Sequence, residues 1–195
     1  HMEERDKAIS DYLKSLELDP YLGTTLGHLA GLYCDAKQYN KALEIYDRQA
    51  TLRVGYHFYK GRGACYYGLK QYDKAASDFR TLVDKFAPKS EALANRYLGV
   101  ICRQKGDEGK AKAYFEKAID LSTKEIAKGG IKVFYPLYER GLNYMELKEY
   151  DKEISDFLKV IELKSMSDRE YRHANYYVEA HINLGTVYSE IDEKG

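Results

Sequence analysis

The sequence predicts an all-α fold of stacked antiparallel helix hairpins, about ten helices in 195 residues. Three observations carry this. A charged cluster followed by a small residue and an aromatic recurs along the chain. A second motif, centred on Gly or Ala, precedes it at one spacing. Apolar residues recur at intervals of three and four, as in Ala42, Leu43, Tyr46 and Ala50, and no segment sustains the alternation of a strand.

The first motif aligns five segments: Arg5-Asp6-Lys7-Ala8-Ile9 with Tyr12, Tyr39-Asn40-Lys41-Ala42-Leu43 with Tyr46, and Tyr72-Asp73-Lys74-Ala75-Ala76 with Phe79. Glu108-Gly109-Lys110-Ala111-Lys112 with Phe115 and Tyr150-Asp151-Lys152-Glu153-Ile154 with Phe157 complete the set. Successive markers Ala8, Ala42, Ala75, Ala111 and Glu153 lie 34, 33, 36 and 42 residues apart. The second motif comprises Leu29-Ala30-x-x-Tyr33, Arg62-Gly63-x-x-Tyr66, Leu98-Gly99-x-x-Cys102, Arg140-Gly141-x-x-Tyr144 and Leu184-Gly185-x-x-Tyr188. In the first four of these the small residue stands 12 positions before the next marker. A Gly or Ala lets two helices approach closely, and an aromatic four residues beyond a small residue lies one turn along the same face.

In chain order, helices are expected near 4–18, 22–36, 39–52, 56–69, 72–86, 90–104, 107–128, 134–147, 150–164 and 168–191. Ala36-Lys37-Gln38, Gly68-Leu69-Lys70 and Lys105-Gly106-Asp107 read as the short turns between them. Pro136 falls at a helix start, where its missing N–H costs little. Two inserts stretch the period: the helix after Ile119 runs on through Ile126 to a stop at Gly129-Gly130, and Ser167-Asp168-Arg169-Glu170 reads as a capping box opening a long helix. The units are 3–20 (a second helix only), 21–55, 56–89, 90–133, 134–167 and 168–195 (a first helix only), in one repeat domain 3–195. The chain thus reads as a segment of a longer array, with His1-Met2 as the remnant of an expression tag.

This pattern resembles the tetratricopeptide repeat over nearly the whole chain, with a Leu-Gly-x-x-Tyr in one helix, Ala-x-x-x-Phe in the next and a closing Pro, here Pro20. The resemblance implies a right-handed superhelical solenoid whose first helices line a concave groove. On each first helix one stripe lies six and three residues before the small marker and one and four after it. It comprises Thr24, Gly27, Gly31 and Cys34; then His57, Lys60, Ala64 and Tyr67; then Leu93, Arg96, Val100 and Arg103. Tyr135, Tyr138, Leu142 and Met145 follow, and Glu179, Ile182, Thr186 and Ser189 close the series. His57, Lys60, Tyr67, Arg96, Arg103, Tyr135, Tyr138 and Met145 are therefore the expected partner-binding residues: a basic wall beside an aromatic one, suited to an extended or helical segment with acidic and apolar side chains. Relatives that clamp a chaperone's C-terminal carboxylate use Lys and Asn near positions where this chain has Gly27, Gly31 and Gly61, so that activity is not expected here.

The composition narrows the alternatives. Hydrophobic residues make up 44% and charged residues 32%, the balance of a globular chain. Lys plus Arg equals Asp plus Glu at 31 each, so the basic excess that phosphate-backbone binding uses is missing and no nucleic-acid partner is expected. No run of about 18 apolar residues occurs, so no membrane insertion is expected. The odd, sparse count of Cys34, Cys65 and Cys102 argues against a disulfide scaffold and reads as small core residues. His173 and His181 have no ligand pair at a zinc spacing, and Gly61-x-Gly63 lacks the strand and third glycine of a nucleotide loop. No catalytic residue, metal or cofactor is expected. The partner is expected to be a protein or peptide. The 20 tyrosines, with Tyr59, Tyr67, Tyr135, Tyr138, Tyr176 and Tyr177 outside the framework positions, and the long last helix keep a self-associating homodimer open as the alternative. Localisation is unassigned, with the cytoplasm slightly favoured.

Overall fold

The computed structural model describes residues 2–52, 54–86, 91–129, 133–166 and 174–192. Among them lie ten helices and no strand: α1 (Met2–Leu18), α2 (Gly23–Asp35), α3 (Tyr39–Gln49), α4 (Tyr56–Gly68) and α5 (Tyr72–Phe86), then α6 (Glu91–Gln104), α7 (Glu108–Ala127), α8 (Phe134–Leu147), α9 (Tyr150–Met166) and α10 (Ala174–Asp192). These are the ten elements expected from the repeat. The two helices expected to be long, α7 and α10, run for 20 and 19 residues. The capping box at Ser167 and Glu170, and Gly130 of the α7 stop, lie outside the described residues.

The helices fall into two compact units, residues 1–90 and 91–195. In the first, α1 to α5 pack in sequence as antiparallel neighbours, and α2 also touches α4. The second packs α6 to α10 in the same way, with α8 touching both α6 and α10. First helices therefore contact first helices within each unit, so a stripe on one continues onto the next.

One packing register recurs. The aromatic of each second helix is driven against the small residue of the preceding first helix. A Cβ added at Gly63 would stand 3.1 Å from Cζ of Phe79; at Gly99 it would stand 2.6 Å from Cε1 of Phe115, and at Gly141 2.7 Å from Cε1 of Phe157. Phe79, Phe115 and Phe157 are the largest fully buried side chains. Ala30 and Tyr46 occupy the equivalent places in one core cluster with Phe58 and Cys65. Each such ring buries about 150–250 Å², which makes it a major source of its hairpin's stability.

The turns repeat as closely as the core. Lys37, Lys70, Gly106 and Lys148, each seven residues after the small marker, adopt positive φ of 58°, 58°, 81° and 58°. The left-handed residue lets the following N–H turn back to a carbonyl of the helix just ended: Gln38 N to Tyr33 O at 2.8 Å, and Gln71 N to Tyr66 O, Asp107 N to Cys102 O and Glu149 N to Tyr144 O, each at 2.9 Å. Asp107 then caps α7, accepting from Lys110 N at 3.0 Å.

Two hairpins also hold a buried ion pair at one register. Arg62 donates through Nε and Nη2 to Asp78 at 2.9 and 2.7 Å, and Arg140 does the same to Asp156 at 2.7 Å for both bonds. The arginines stand just before Gly63 and Gly141, the aspartates just before Phe79 and Phe157. The bidentate fork satisfies both carboxylate oxygens, as a buried acid requires.

Candidate functional site

In the first unit the expected stripe runs over α2 and α4. Its floor is open at Gly31, where nothing lies within 4 Å of an added Cβ, but a Cβ on Gly27 would stand 3.0 Å from Gln49 Nε2; beside Gly31, Cys34 Sγ approaches the carbonyl of Gly61 on α4 at 3.9 Å. Beside this floor α4 offers an exposed His57 and half-buried Lys60 and Tyr67. The His57 ring packs edge-on to Tyr56 at 4.9 Å, and Tyr67 lies 5.9 Å from the Tyr72 ring of α5. Burial raises the Asp35 carboxyl above its ordinary value, and the charges of Lys60 and Arg5 partly offset this. Among the cysteines only Cys65 is fully buried; Cys34 and Cys102 are half-buried. The hydrogen bond from Cys65 holds the Cys34 thiol below its usual range, while that bond and burial push Cys65 up.

In the second unit the stripe on α6 and α8 is charged but internally matched. Arg96 Nε donates to Glu139 Oε2 at 3.1 Å. Two turns further along, Arg103 bonds the Glu146 carboxylate and donates through Nη2 to the Glu146 carbonyl at 2.9 Å, while its Nε reaches Glu108 at 3.3 Å. The expected basic wall is thus a ladder of ion pairs between α6 and α8. Its arginines also lie over rings, Arg96 at 4.9 Å from Tyr97 and Arg103 at 4.9 Å from Phe115.

The aromatic wall divides. Tyr138, expected as an exposed tyrosine, is only 7% exposed. Its hydroxyl donates to Glu179 Oε2 at 2.6 Å, and its ring packs on Phe157 at 5.8 Å and Tyr176 at 5.2 Å. Burial and the Glu179 carboxylate push its hydroxyl well above the usual phenol range, so it serves as a donor. Tyr135 stays half-buried, edge-on to Tyr176 at 5.6 Å, and Met145 is half-buried against the core of this unit. Tyr176 is half-buried too, and so joins this aromatic group although the sequence stripe passes it by.

The residues that sequence reasoning missed are the acids Glu139 and Glu146; Glu179 stood on the expected stripe, but not as the partner of Tyr138. A signal was present: Glu139 and Glu146 are spaced by seven on α8 as Arg96 and Arg103 are on α6, and each lies 43 residues after its arginine, one more than the offset from Gly99 to Gly141. Glu153 reads in the sequence only as a marker. It occupies the alanine place of its repeat, is 1% exposed, and neither carboxylate oxygen has a hydrogen-bond partner. Burial first, then the charge of Glu190, pushes it up to about 7.

Among the described residues no cluster of three or more His, Cys, Asp and Glu could hold a metal ion, and no helix is long and apolar enough to cross a membrane.

Helix hairpins stacked at one register, with first helices forming a continuous side-chain stripe within each unit, define a helical-repeat protein. The repeats are tetratricopeptide repeats: one family model of that description matches residues 98–125 and 135–165, and a second matches 61–90. No curated protein sequence matches the chain. Solved structures share its fold. A crystal structure of MamA is 22% identical with a TM-score of 0.57, covering 85% of this chain and 91% of that one. The Cut9 and Hcn1 hetero-tetramer of the APC/C is 20% identical with a TM-score of 0.63, covering 98% of this chain but 34% of that one. YrrB, described as a tetratricopeptide-repeat protein with an unusual peptide-binding site, is 18% identical with a TM-score of 0.50, covering 93% of this chain and 84% of that one.

Proposed function

We propose that the chain is a non-catalytic scaffold that holds an extended or helical segment of another protein along the stripes of its first helices. The observation that carries this is the bare floor at Gly31 beside Lys60 and Tyr67 in the first unit. Open space above a glycine admits a ligand backbone close to the helix, Lys60 and His57 suit an acidic side chain, and Tyr67 supplies apolar contact at low entropy cost. In the second unit Tyr135, Tyr176 and Met145 offer the matching apolar surface, while Arg96 and Arg103 are already neutralised by Glu139 and Glu146. The charge preference of the ligand therefore rests on Lys60 and His57 rather than on the arginines. That the APC/C subunits occur in a hetero-tetramer and YrrB has a peptide-binding site agrees with this reading.

A fluorescence screen of the purified chain against a peptide library tests it. Hits should be acidic and apolar, weakened about tenfold or more by Lys60→Glu or Tyr67→Ala, each change worth roughly 1–2 kcal/mol. Hits indifferent to both substitutions and to Tyr135→Ala would move the site off the first-helix stripes.

A further inference from the structure

Two of the three cysteines meet inside the first unit. Cys34, on α2, is half-buried on the expected stripe, four residues after the small marker Ala30. Cys65, on α4, follows the marker Gly63 by two and is 0% exposed. They stand 31 positions apart in the chain, and the contact of α2 with α4 brings them together. Cys34 packs against the core cluster to which Cys65 belongs with Ala30, Ala42, Tyr46 and Phe58. Its Sγ lies 3.9 Å from the carbonyl oxygen of Gly61, about one helical turn before Cys65 on α4.

Gly61 is what admits this packing. A Cβ there would collide with the hydroxyl of Tyr46, a residue only 2% exposed, so the glycine lets α3 seat directly on the backbone of α4. In this arrangement the Cys65 thiol donates a hydrogen bond to the Cys34 sulfur.

The two thiols are not equivalent. The bond from Cys65 stabilises the Cys34 thiolate and lowers its pKa, against the opposing effects of burial and of the Asp35 charge. The same bond, and then burial, pushes the Cys65 thiol up. A thiolate, not a thiol, attacks an oxidant. Cys34 thus combines access with thiolate character, and an enclosed second thiol stands against it. These are the two parts of a reversible thiol switch, an attacking cysteine and a resolving one.

We propose that Cys34 and Cys65 form a reversible disulfide between α2 and α4, with a peroxide as oxidant, Cys34 as the attacking residue and Cys65 as the resolving one. The Cys34 thiolate attacks one oxygen of hydrogen peroxide and the O–O bond breaks. Cys34 becomes a sulfenic acid, and the hydroxide released takes up a proton to give water. The Cys65 sulfur then attacks the Cys34 sulfur. An S–S bond forms, the S–O bond breaks, and the hydroxyl leaves as a second water with the Cys65 proton. The thiol pair loses two hydrogens, and the peroxide is reduced to water. Conversion of Cys34 to the sulfenic acid removes the negative charge that held the Cys65 proton, which favours the second step. Excess monothiol reverses the bond by exchange. Cys102 lies in the second unit, where the sequence has no other cysteine, and takes no part.

The bond joins the two first helices whose residues make the stripe of the first unit, at a position near the open Gly31. It goes beyond the groove reading and does not depend on it, since it is read with no ligand present.

The test takes the full chain, reduced and freed of reductant, and treats it with one equivalent of hydrogen peroxide in native buffer. Thiols are then counted with N-ethylmaleimide in denaturant, and helicity is followed by circular dichroism. The count should fall from three per chain to one, the intact mass should drop by about 2 Da before alkylation, and non-reducing peptide mapping should join Cys34 to Cys65. Helicity should be unchanged, and dithiothreitol should restore all three thiols. Cys65→Ser should leave Cys34 as a sulfenic acid that dimedone labels, Cys34→Ser should leave Cys65 a thiol, and Cys102→Ser should still lose two thiols. If Cys65→Ser fails to fold, the thiol count and peptide map of the parent carry the test. A count that stays at three would overturn the proposal. So would a bond that joins Cys102 or two chains, or a Cys34–Cys65 bond that forms only with loss of helicity. Peptide binding by the reduced chain is a separate measurement, so this proposal and the groove reading fail separately.

Discussion

Arg96 on α6 and Glu139 on α8 form an ion pair at 3.1 Å with side chains only 16% and 4% exposed. Both charges are largely removed from water, so each depends on the other. Glu139→Ala should lower unfolding stability by about 3 kcal/mol, because it strands the arginine, whereas Arg96→Met with Glu139→Leu should be close to neutral. Urea denaturation of the three proteins checks this. A single variant as stable as the parent would show that Arg96 finds another partner.

The Glu153 carboxyl should set a pH dependence. Its folded value, about 7, lies above the ordinary 4.5, so the folded state binds the proton more tightly than the unfolded state. The stabilisation is fully present below pH 4.5 and is lost as pH rises through about 7, for a difference on the order of 3 kcal/mol. Glu153→Gln keeps the shape without the charge and should flatten that fall, leaving the variant more stable than the parent at about pH 8. Equal slopes for the two proteins between about pH 5 and 8 would contradict the assignment.

Lys148 holds φ of 58° at the end of α8. A side chain in this region costs about 1–2 kcal/mol that glycine does not incur, less the extra entropy glycine loses on folding. Lys148→Gly should therefore stabilise by about 0.5–1 kcal/mol, a rise in Tm of a few degrees for a chain of this size. Gly106 already stands at the equivalent turn. A fall in Tm on thermal denaturation would mean that the lysine side chain contributes more than its backbone costs.

The same substitution should act in opposite directions at two glycines. Gly141→Ala puts a methyl 2.7 Å from Phe157 Cε1 and should cost about 1–3 kcal/mol through overpacking. Gly185→Ala meets nothing within 4 Å and lies on an exposed helix face, so it should stabilise by up to about 1 kcal/mol through helix propensity. Calorimetry of the two variants separates them, and a shared sign would show that the register at Gly185 differs from that at Gly141.

Much of the fold was legible because a repeat states its own packing rule several times. Gly63 and Phe79, or Gly141 and Phe157, stand at a constant offset of 16, and that offset alone places the two helices face to face. The stripe residues of α4 and α6 were legible for the same reason, since their positions follow from the marker. The state of each side chain was not. Tyr138 shares a stripe position with Lys60 and Arg96, yet it is buried because Tyr176 and Glu179 of α10 close over it.

By itself the sequence determined the all-α class, the ten helices and the register within each hairpin, because these depend on local periodicity and on contacts at a constant sequence offset. Only the tertiary structure decided which charges on the stripe are free. Arg96 and Arg103 are paired with Glu139 and Glu146 on the neighbouring first helix, and Glu153 holds its proton to a higher pH than usual because burial in the place of an alanine disfavours the anion. Pairing and desolvation depend on what surrounds a group in three dimensions, and a sequence position does not carry that information.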